Sequence, residues 1–289
     1  MKPAPFEYVA PATLDDAVGA LAGEGGDAKV LAGGQSLIPM LALRLARPTL
    51  LVDINRIAGL DALRESSGTL EVGALVRQRD LERWAASRSA LFTEVLRHVA
   101  HPPIRNRGTV VGNVVHADPA SELPALLLAL DGAVIARGSR GERTVAADQL
   151  YRAPLTTSLA ADEVATAVRF TLPAAGAGWG FAEVSRRHGD FALVGAVAVL
   201  ARAAGGPVTR ARLAFFGAGG TPARGAAAER LLEGNEPTPP RLAEAARAAA
   251  AALSPDDDIH ATAAYRRRVA ATLAERTLAA ALARCGSGE

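Results

Sequence analysis

Leu14, Ala17, Val18 and Leu21 recur at the three- and four-residue spacing of one helix face, so residues 13–22 are expected to be helical. Thr13 suits the N-cap, and Asp16 lies near the positive end of the helix dipole. Gly23, Gly25 and Gly26 end that pattern. Short apolar runs predict strands at 29–32, 50–54 and 69–75. Helices are expected at 78–85 and 90–99, the second stopped by His101-Pro102-Pro103. Residues 104–113 carry no clear period and read as irregular. Asp118 and Pro119 open an apolar stretch expected to be a helix over 120–130, with Pro119 at its first turn. Strands follow at 133–137 and 164–172.

The texture changes after Pro173-Ala174-Ala175-Gly176-Ala177-Gly178, which reads as a linker. Beyond it, three apolar runs at 181–186, 191–204 and 208–216 predict strands joined by short turns. Alanine-rich helices are expected at 223–233, 240–253 and 260–284. Strands followed by helices argue for an α+β domain. Arg266-Arg267-Arg268 is expected to lie on a solvated helix face, and Cys285 in a frayed tail.

Composition narrows the function. A chain of 289 residues suggests two domains. A hydrophobic content of 49% excludes disorder for most of it. An aromatic content of 4% argues against stacking on single-stranded nucleic acid. The net charge of +2 comes from 32 basic and 30 acidic residues, so no polybasic face is implied. One cysteine makes no internal disulfide, iron–sulfur site or zinc site. The first residues have neither the apolar core of a signal peptide nor the look of a transit peptide, and no window resembles a membrane span. A cytoplasmic location is expected.

Two segments carry candidate chemistry. In Leu31-Ala32-Gly33-Gly34-Gln35-Ser36-Leu37-Ile38-Pro39, a strand delivers the chain into two glycines and two short polar residues. Glycines let successive N–H groups point into one concavity and keep Cβ atoms away from a phosphate. The segment is neither a P-loop nor G-x-G-x-x-G, and by itself it is also a tight strand-to-helix turn. The second segment runs from Arg105 through Thr109, Gly112 and Asn113 to His116-Ala117-Asp118-Pro119-Ala120-Ser121-Glu122-Leu123-Pro124. There Asp118 alone reads as an N-cap, and His116 with Asp118 lacks a third metal ligand. Gly217-Ala218-Gly219-Gly220-Thr221-Pro222 reads as a structural turn, since Pro222 stands where a Rossmann loop needs glycine. No Ser/His/Asp or Cys/His arrangement emerges, so no catalytic residue is nominated.

Together, A-G-G-x-S-L-x-P, R-N-x-G-T-x-x-G-N and A-D-P-A-S-E-L-P resemble the FAD-binding medium subunit of the molybdenum hydroxylases, the carbon monoxide dehydrogenase and xanthine dehydrogenase superfamily. The likeness continues in 181–192 and 216–222 and covers essentially the whole chain. It implies an α+β chain. A two-subdomain FAD-binding domain like that of vanillyl-alcohol oxidase and the cell-wall reductase MurB would span 1–175, with subdomains of about 1–55 and 56–175. A C-terminal domain, a three-stranded antiparallel sheet plus helices, would span 176–289.

The resemblance also implies site residues. Ala32, Gly33, Gly34, Gln35, Ser36 and Leu37 would wrap the FAD diphosphate. Thr109, Gly112 and Asn113 would form the opposing wall, with Ile104 and Ala117 beside them. Asp118 and Ser121 would anchor the ribityl or diphosphate portion, and Asp190 and Phe191 would reach the isoalloxazine edge. Gln35 replaces a common histidine, Val111 a common glycine and Phe191 a common tyrosine. The first weakens the case for carbon monoxide and favours N-heterocycle or aldehyde hydroxylation.

The implied reaction is shared among subunits. Substrate is oxidised at a molybdenum cofactor in a large partner subunit. Electrons then cross two iron–sulfur clusters of the 2Fe–2S type in a small partner subunit and reach FAD. An external acceptor, such as a quinone, a cytochrome or NAD, takes them onward. The expected assembly is a dimer of heterotrimers. A flavin-free assembly protein and a stand-alone flavoenzyme are the alternatives. Intact Gly33, Gly34 and Gly112 speak against the first.

Overall fold

The computed structural model describes residues 2–286, so residue 1 and residues 287–289 of the expected domains lie outside it. Three strands, β1 (Glu7–Val9), β2 (Ala28–Leu31) and β3 (Leu50–Asp53), form a parallel sheet in the order β1-β3-β2. Central β3 presents Leu50, Leu51 and Val52, all buried, as expected of a parallel strand covered on both faces. Helix α1 (Leu14–Gly23) buries Ala17, Val18 and Leu21, and Thr13 accepts from the Asp16 N–H as its N-cap. Helix α2 (Leu37–Ala42) follows β2 after five residues.

A second sheet joins β4 (Leu63–Ser66), β5 (Thr69–Gly73), β6 (Ala133–Gly138), β7 (Gly141–Ala146) and β10 (Val164–Thr171), in the order β4-β5-β10-β6-β7. The short hairpin β8 (Tyr151–Ala153) and β9 (Thr156–Thr157) stands apart. Between β5 and β6 lie α3 (Gln78–Ala85), α4 (Ala90–His98), α5 (Pro102–Arg105), α6 (Val110–His116) and α7 (Glu122–Ala129); α8 (Ala147–Leu150) follows β7.

The C-terminal sheet runs β11 (Gly178–Ser185), β12 (Ala192–Arg202), β13 (Val208–Phe216), β14 (Ala223–Arg224). It has four strands where three were expected. The extra strand pairs Ala223 with Phe215 and Arg224 with Ala214, so α9 (Ala226–Leu232) starts later than the expected 223. Helices α10 (Pro239–Ala251) and α11 (Ala263–Arg284) complete the layer. Val194, Ala196, Ala198 and Leu200 of β12 pack into the core beneath these helices. Val197 and Val199 join the core of the preceding domain. The two faces of one strand thus serve two cores, which is why β12 reads as a continuous apolar run. Helix α7 lies against β12 and β13 as well as α4, and all eight of its residues are buried.

Residues 104–113 are not irregular. Pro102 and Pro103 open α5, with His101 extended before it, because proline is favoured in a first helical turn. Thr109 then caps α6 by accepting from the Gly112 N–H at 3.1 Å, and burial of Val110, Val111 and Val114 overrides the weak helix propensity of valine. Helix α7 begins at Glu122 rather than Ala120, so Pro119 precedes it. Ser121, not Asp118, holds the N-cap position; Asp118 instead closes a local turn by accepting from the Ala120 N–H at 2.9 Å. Arg266 is buried, unlike exposed Arg267 and Arg268, so the triplet is not wholly a solvated face. Cys285 is packed rather than frayed, and its thiol donates to the Leu200 carbonyl. No described helix is long and apolar enough to cross a membrane.

Candidate functional site

The first loop leaves β2 at Leu31 and enters α2 at Leu37. Gly34 has φ +73°, a conformation glycine adopts without strain. Ile38 donates back to the Gly34 carbonyl and Met40 to Ser36. No acceptor in the described chain takes a hydrogen bond from the N–H groups of Gly33, Gly34, Gln35, Ser36 or Leu37. A row of such donors before a helix is an anion cradle. Ser36 is exposed and its hydroxyl does not cap α2. Gln35 Nε2 turns inward onto the Gly33 carbonyl at 3.3 Å.

The second loop lies directly on the first. A Cβ at Gly33 would stand 2.6 Å from the Arg107 carbonyl, 2.8 Å from Gly108 Cα and 2.9 Å from the Thr109 nitrogen. Gly33 is therefore glycine because backbone packs on backbone, and Gly112 because a Cβ there would meet the Thr109 hydroxyl at 2.5 Å. These contacts account for both glycines without a ligand, so they do not by themselves exclude a flavin-free protein. Two backbone hydrogen bonds along 76–78 position the second loop. Gln78 donates to Gly108 and Val110 donates to Val76, and together they make the antiparallel bridge between Arg77 and Thr109. Buried Arg105 ties α5 down through the Val99 and Ala100 carbonyls and Glu82. Ile104 is at the surface of that turn.

Ala117 adopts a left-handed conformation at the end of α6, and its carbonyl accepts from Leu155. Ser121 Oγ donates to Asn113 Oδ1 at 2.8 Å, joining the second and third motifs. The C-terminal domain reaches the same place, where the Gly217 N–H donates to the Pro119 carbonyl at 2.7 Å. The turn at 217–222 is thus part of the wall behind the third motif. Asp190 and Phe191 are tied in only indirectly. Gly189 packs on the His101 ring at the start of α5, and Phe191 is 71% exposed. Asp190 Oδ2 has no hydrogen-bond partner, though Arg186 and Arg187 stand 3.3 Å away. Among the described residues, no hydrogen bond or ion pair links Asp190 or Phe191 directly to residues 32–37.

Tyr8, Asp53 and Asn55, which brace the first loop, have no motif to announce them. Tyr8 Oη donates to Asp53 Oδ2 at 2.6 Å, and Asn55 donates to Asp53 Oδ1 through both its amide groups. Burial pushes the Asp53 carboxyl up, but these hydrogen bonds outweigh it and hold it below its ordinary range. Beside Ser121, buried Glu122 is raised to about 8 by burial and by nearby Glu183. Glu183 Oε1 lies 3.1 Å from His98 Nδ1, and that hydrogen bond raises the imidazole against the opposing effect of burial. Burial lowers His116. Among the described residues no group of three His, Cys, Asp or Glu could hold a metal. The donor row and adjoining small polar residues suit a diphosphate-bearing ligand laid along the first loop, where the second packs beside it.

Comparison with known proteins identifies the two domains. A model of the FAD binding domain in molybdopterin dehydrogenase matches residues 4–174. A model of the CO dehydrogenase flavoprotein C-terminal domain matches residues 179–281. The 6-hydroxypseudooxynicotine dehydrogenase complex subunit alpha of Paenarthrobacter nicotinovorans is 41% identical, over 98% of this chain and 97% of its own. The nicotine 6-hydroxylase medium subunit of the same organism is 40% identical, over 98% of this chain and 100% of its own. Carbon monoxide dehydrogenase from Hydrogenophaga pseudoflava superposes with a TM-score of 0.95 at 38% identity, covering 99% of this chain and 100% of that one.

Proposed function

The chain belongs to the FAD-binding medium subunits of the molybdenum hydroxylases, and on that premise we propose that it holds FAD between its two loops as the electron-exit subunit of such an enzyme. The row of unpaired backbone donors at 33–37 carries this reading. Bound FAD supplies the electron chemistry, taking electrons from iron–sulfur clusters and passing them to an external acceptor.

The chain's own residues bind and orient. Ala32 to Leu37 cradle the diphosphate, with charge complemented by the N–H row. Thr109, Gly112 and Asn113 form the facing wall, between Ile104 and Ala117. Asp118 keeps its local turn through Ala120 and presents a carboxylate to the cofactor, and Ser121 holds Asn113 in place. Asp190 and Phe191 line the outer edge, where exposed Phe191 keeps a ring but no phenolic hydroxyl. The FAD-binding domain is assigned to 1–175, with two subdomains of about 1–55 and 56–175 of the vanillyl-alcohol oxidase and MurB type. The remainder, 176–289, is the C-terminal domain.

A small iron–sulfur subunit and a large molybdenum subunit complete the enzyme, as a dimer of heterotrimers. N-heterocycle hydroxylation is the favoured chemistry of that assembly, because a nicotine 6-hydroxylase medium subunit is among the similar chains and Gln35 replaces the histidine common in carbon monoxide dehydrogenases. In anaerobic reduction, the isolated chain is expected to leave its flavin oxidised with any hydroxylase substrate, whereas the assembled complex should bleach it. Rapid bleaching of the isolated chain by an organic substrate would instead make it a stand-alone flavoenzyme.

The role of Asp118 has its own test. Asparagine retains the acceptor for Ala120, so Asp118→Asn should melt as the parent does while shifting flavin affinity or potential through loss of charge. Unchanged flavin titration and unchanged potential would leave Asp118 a turn residue only.

A further inference from the structure

Arg77 lies between β5 and α3 and takes the extended conformation at the α3 N-cap position, but its side chain does not cap that helix. It reaches across the site instead. One guanidinium nitrogen, Nη2, donates to Asn55 Oδ1 at 2.8 Å; the other, Nη1, donates to the Arg107 carbonyl at 2.7 Å. Asn55 Nδ2 donates in turn to the Ala32 carbonyl at 2.8 Å. An unbroken polar path thus runs from the first residue of one loop, through Asn55 and Arg77, to the residue of the other loop that faces Gly33.

Each link is fixed from behind. Asp53 holds Asn55 by two hydrogen bonds, and Tyr8 holds Asp53. The fork of a guanidinium meets two acceptors at once, which an ammonium on a flexible stem does not reproduce. Burial and the like charge of Arg107 both disfavour the Arg77 cation, and Asp80 and Asp53 work in the opposite sense. An anion between the loops would add to that compensation.

We propose that Arg77, acting through Asn55, is the positioning residue that sets the spacing of the two loops for the FAD diphosphate and biases the site toward that charged group. The proposal rests on the flavin reading above, and its test separates the two. Full-length chain stripped of flavin is titrated with FAD, riboflavin and ADP, in the parent and in Arg77→Met, Arg77→Lys and Asn55→Ala.

In Arg77→Met, FAD and ADP affinity are expected to fall about tenfold or more, the loss typical of a charge-assisted hydrogen bond, with riboflavin affinity held within about twofold. Arg77→Lys, which keeps the charge but not the fork, should fall between parent and Arg77→Met. Asn55→Ala should weaken FAD as well, because it cuts the path at Ala32. Circular dichroism identifies any variant that fails to fold, in which case Arg77→Lys carries the comparison. FAD affinity within about twofold of the parent in both Arg77 variants would overturn the proposal, as would an equal loss for riboflavin and FAD. A parent chain that does not bind FAD would overturn the flavin reading itself.

Discussion

Glu122→Gln is expected to remove most of the pH dependence of stability between about pH 4.5 and 8 and to make the chain more stable at the alkaline end. Glu122 lies in the first turn of α7, sealed between the two cores. Burial, followed by the charge of Glu183, raises its carboxyl from 4.5 to about 8. A carboxyl whose folded value exceeds its unfolded value stabilises the fold fully below the unfolded value. That contribution is lost as pH rises through the folded value.

Across the window the folded chain holds a proton that the unfolded chain has released, so stability falls by up to about 1.4 kcal/mol per pH unit. His98 is raised mainly by its hydrogen bond to Glu183 and contributes with the same sign, losing its proton as pH rises. Glutamine keeps the shape of Glu122 and has no proton to lose. Urea unfolding of parent and variant from pH 5 to 9 reads the difference. An identical pH slope in the two chains would show that Glu122 is ionised throughout. The charges facing this carboxyl are Glu183 from β11, His98 from α4 and Asp118 from the third motif, so the same titration bears on the wall of the proposed flavin site.

Arg266→Met is expected to cost about 1–3 kcal/mol, the range for leaving buried hydrogen-bond acceptors without a donor, since its partner Asp258 is exposed. Its Nη1 donates to the carbonyls of Leu193 and Gly217, the latter at 2.8 Å, and its Nη2 meets Asp258 at 2.6 Å. A cation in the first turn of α11 opposes the helix dipole, so these acceptors are what stabilise it there. Backbone N–H groups of His260 and Ala261, together with Arg266, hold the Asp258 carboxyl down to about 2. Methionine fills the aliphatic volume but leaves two carbonyls without a donor. Gly217 is also the residue that donates to Pro119, so loss of Arg266 should loosen the wall of the site and weaken FAD binding. Thermal melts and flavin titration of Arg266→Met, with exposed Arg268→Met as the control expected within about 0.5 kcal/mol of the parent, check this. A variant as stable as the control would show that the buried guanidinium is dispensable.

The three motifs could be read along the chain because each is local. Glycine, serine and threonine punctuate a strand end or a helix start, and backbone geometry demands those residue types within a few positions. The amphipathic helix 14–23 and strand 208–216 were legible for the same reason, since their periods are set by neighbours three, four or two residues away. The helix at 110–116 was hidden, because its valines have weak helix propensity and show no clear period until the Thr109 cap and burial of Val110, Val111 and Val114 decide the conformation. Short edge strands such as 7–9 and 223–224 carry too few residues to show a period at all.

The sequence by itself determined the longer helices and strands, the family likeness and the loops that can present backbone donors. Only the tertiary structure decided why Gly33 must be glycine, which arginine of 266–268 is buried, and which side chains brace the site. Tyr8 meets Asp53 across 45 residues, Arg77 meets Arg107 across 30, and Arg266 meets Leu193 across 73. A polar side chain at such a separation looks in sequence like any solvated residue. Its role follows from desolvation and from the partner that packing brings within hydrogen-bond reach, and neither quantity exists until the chain has folded.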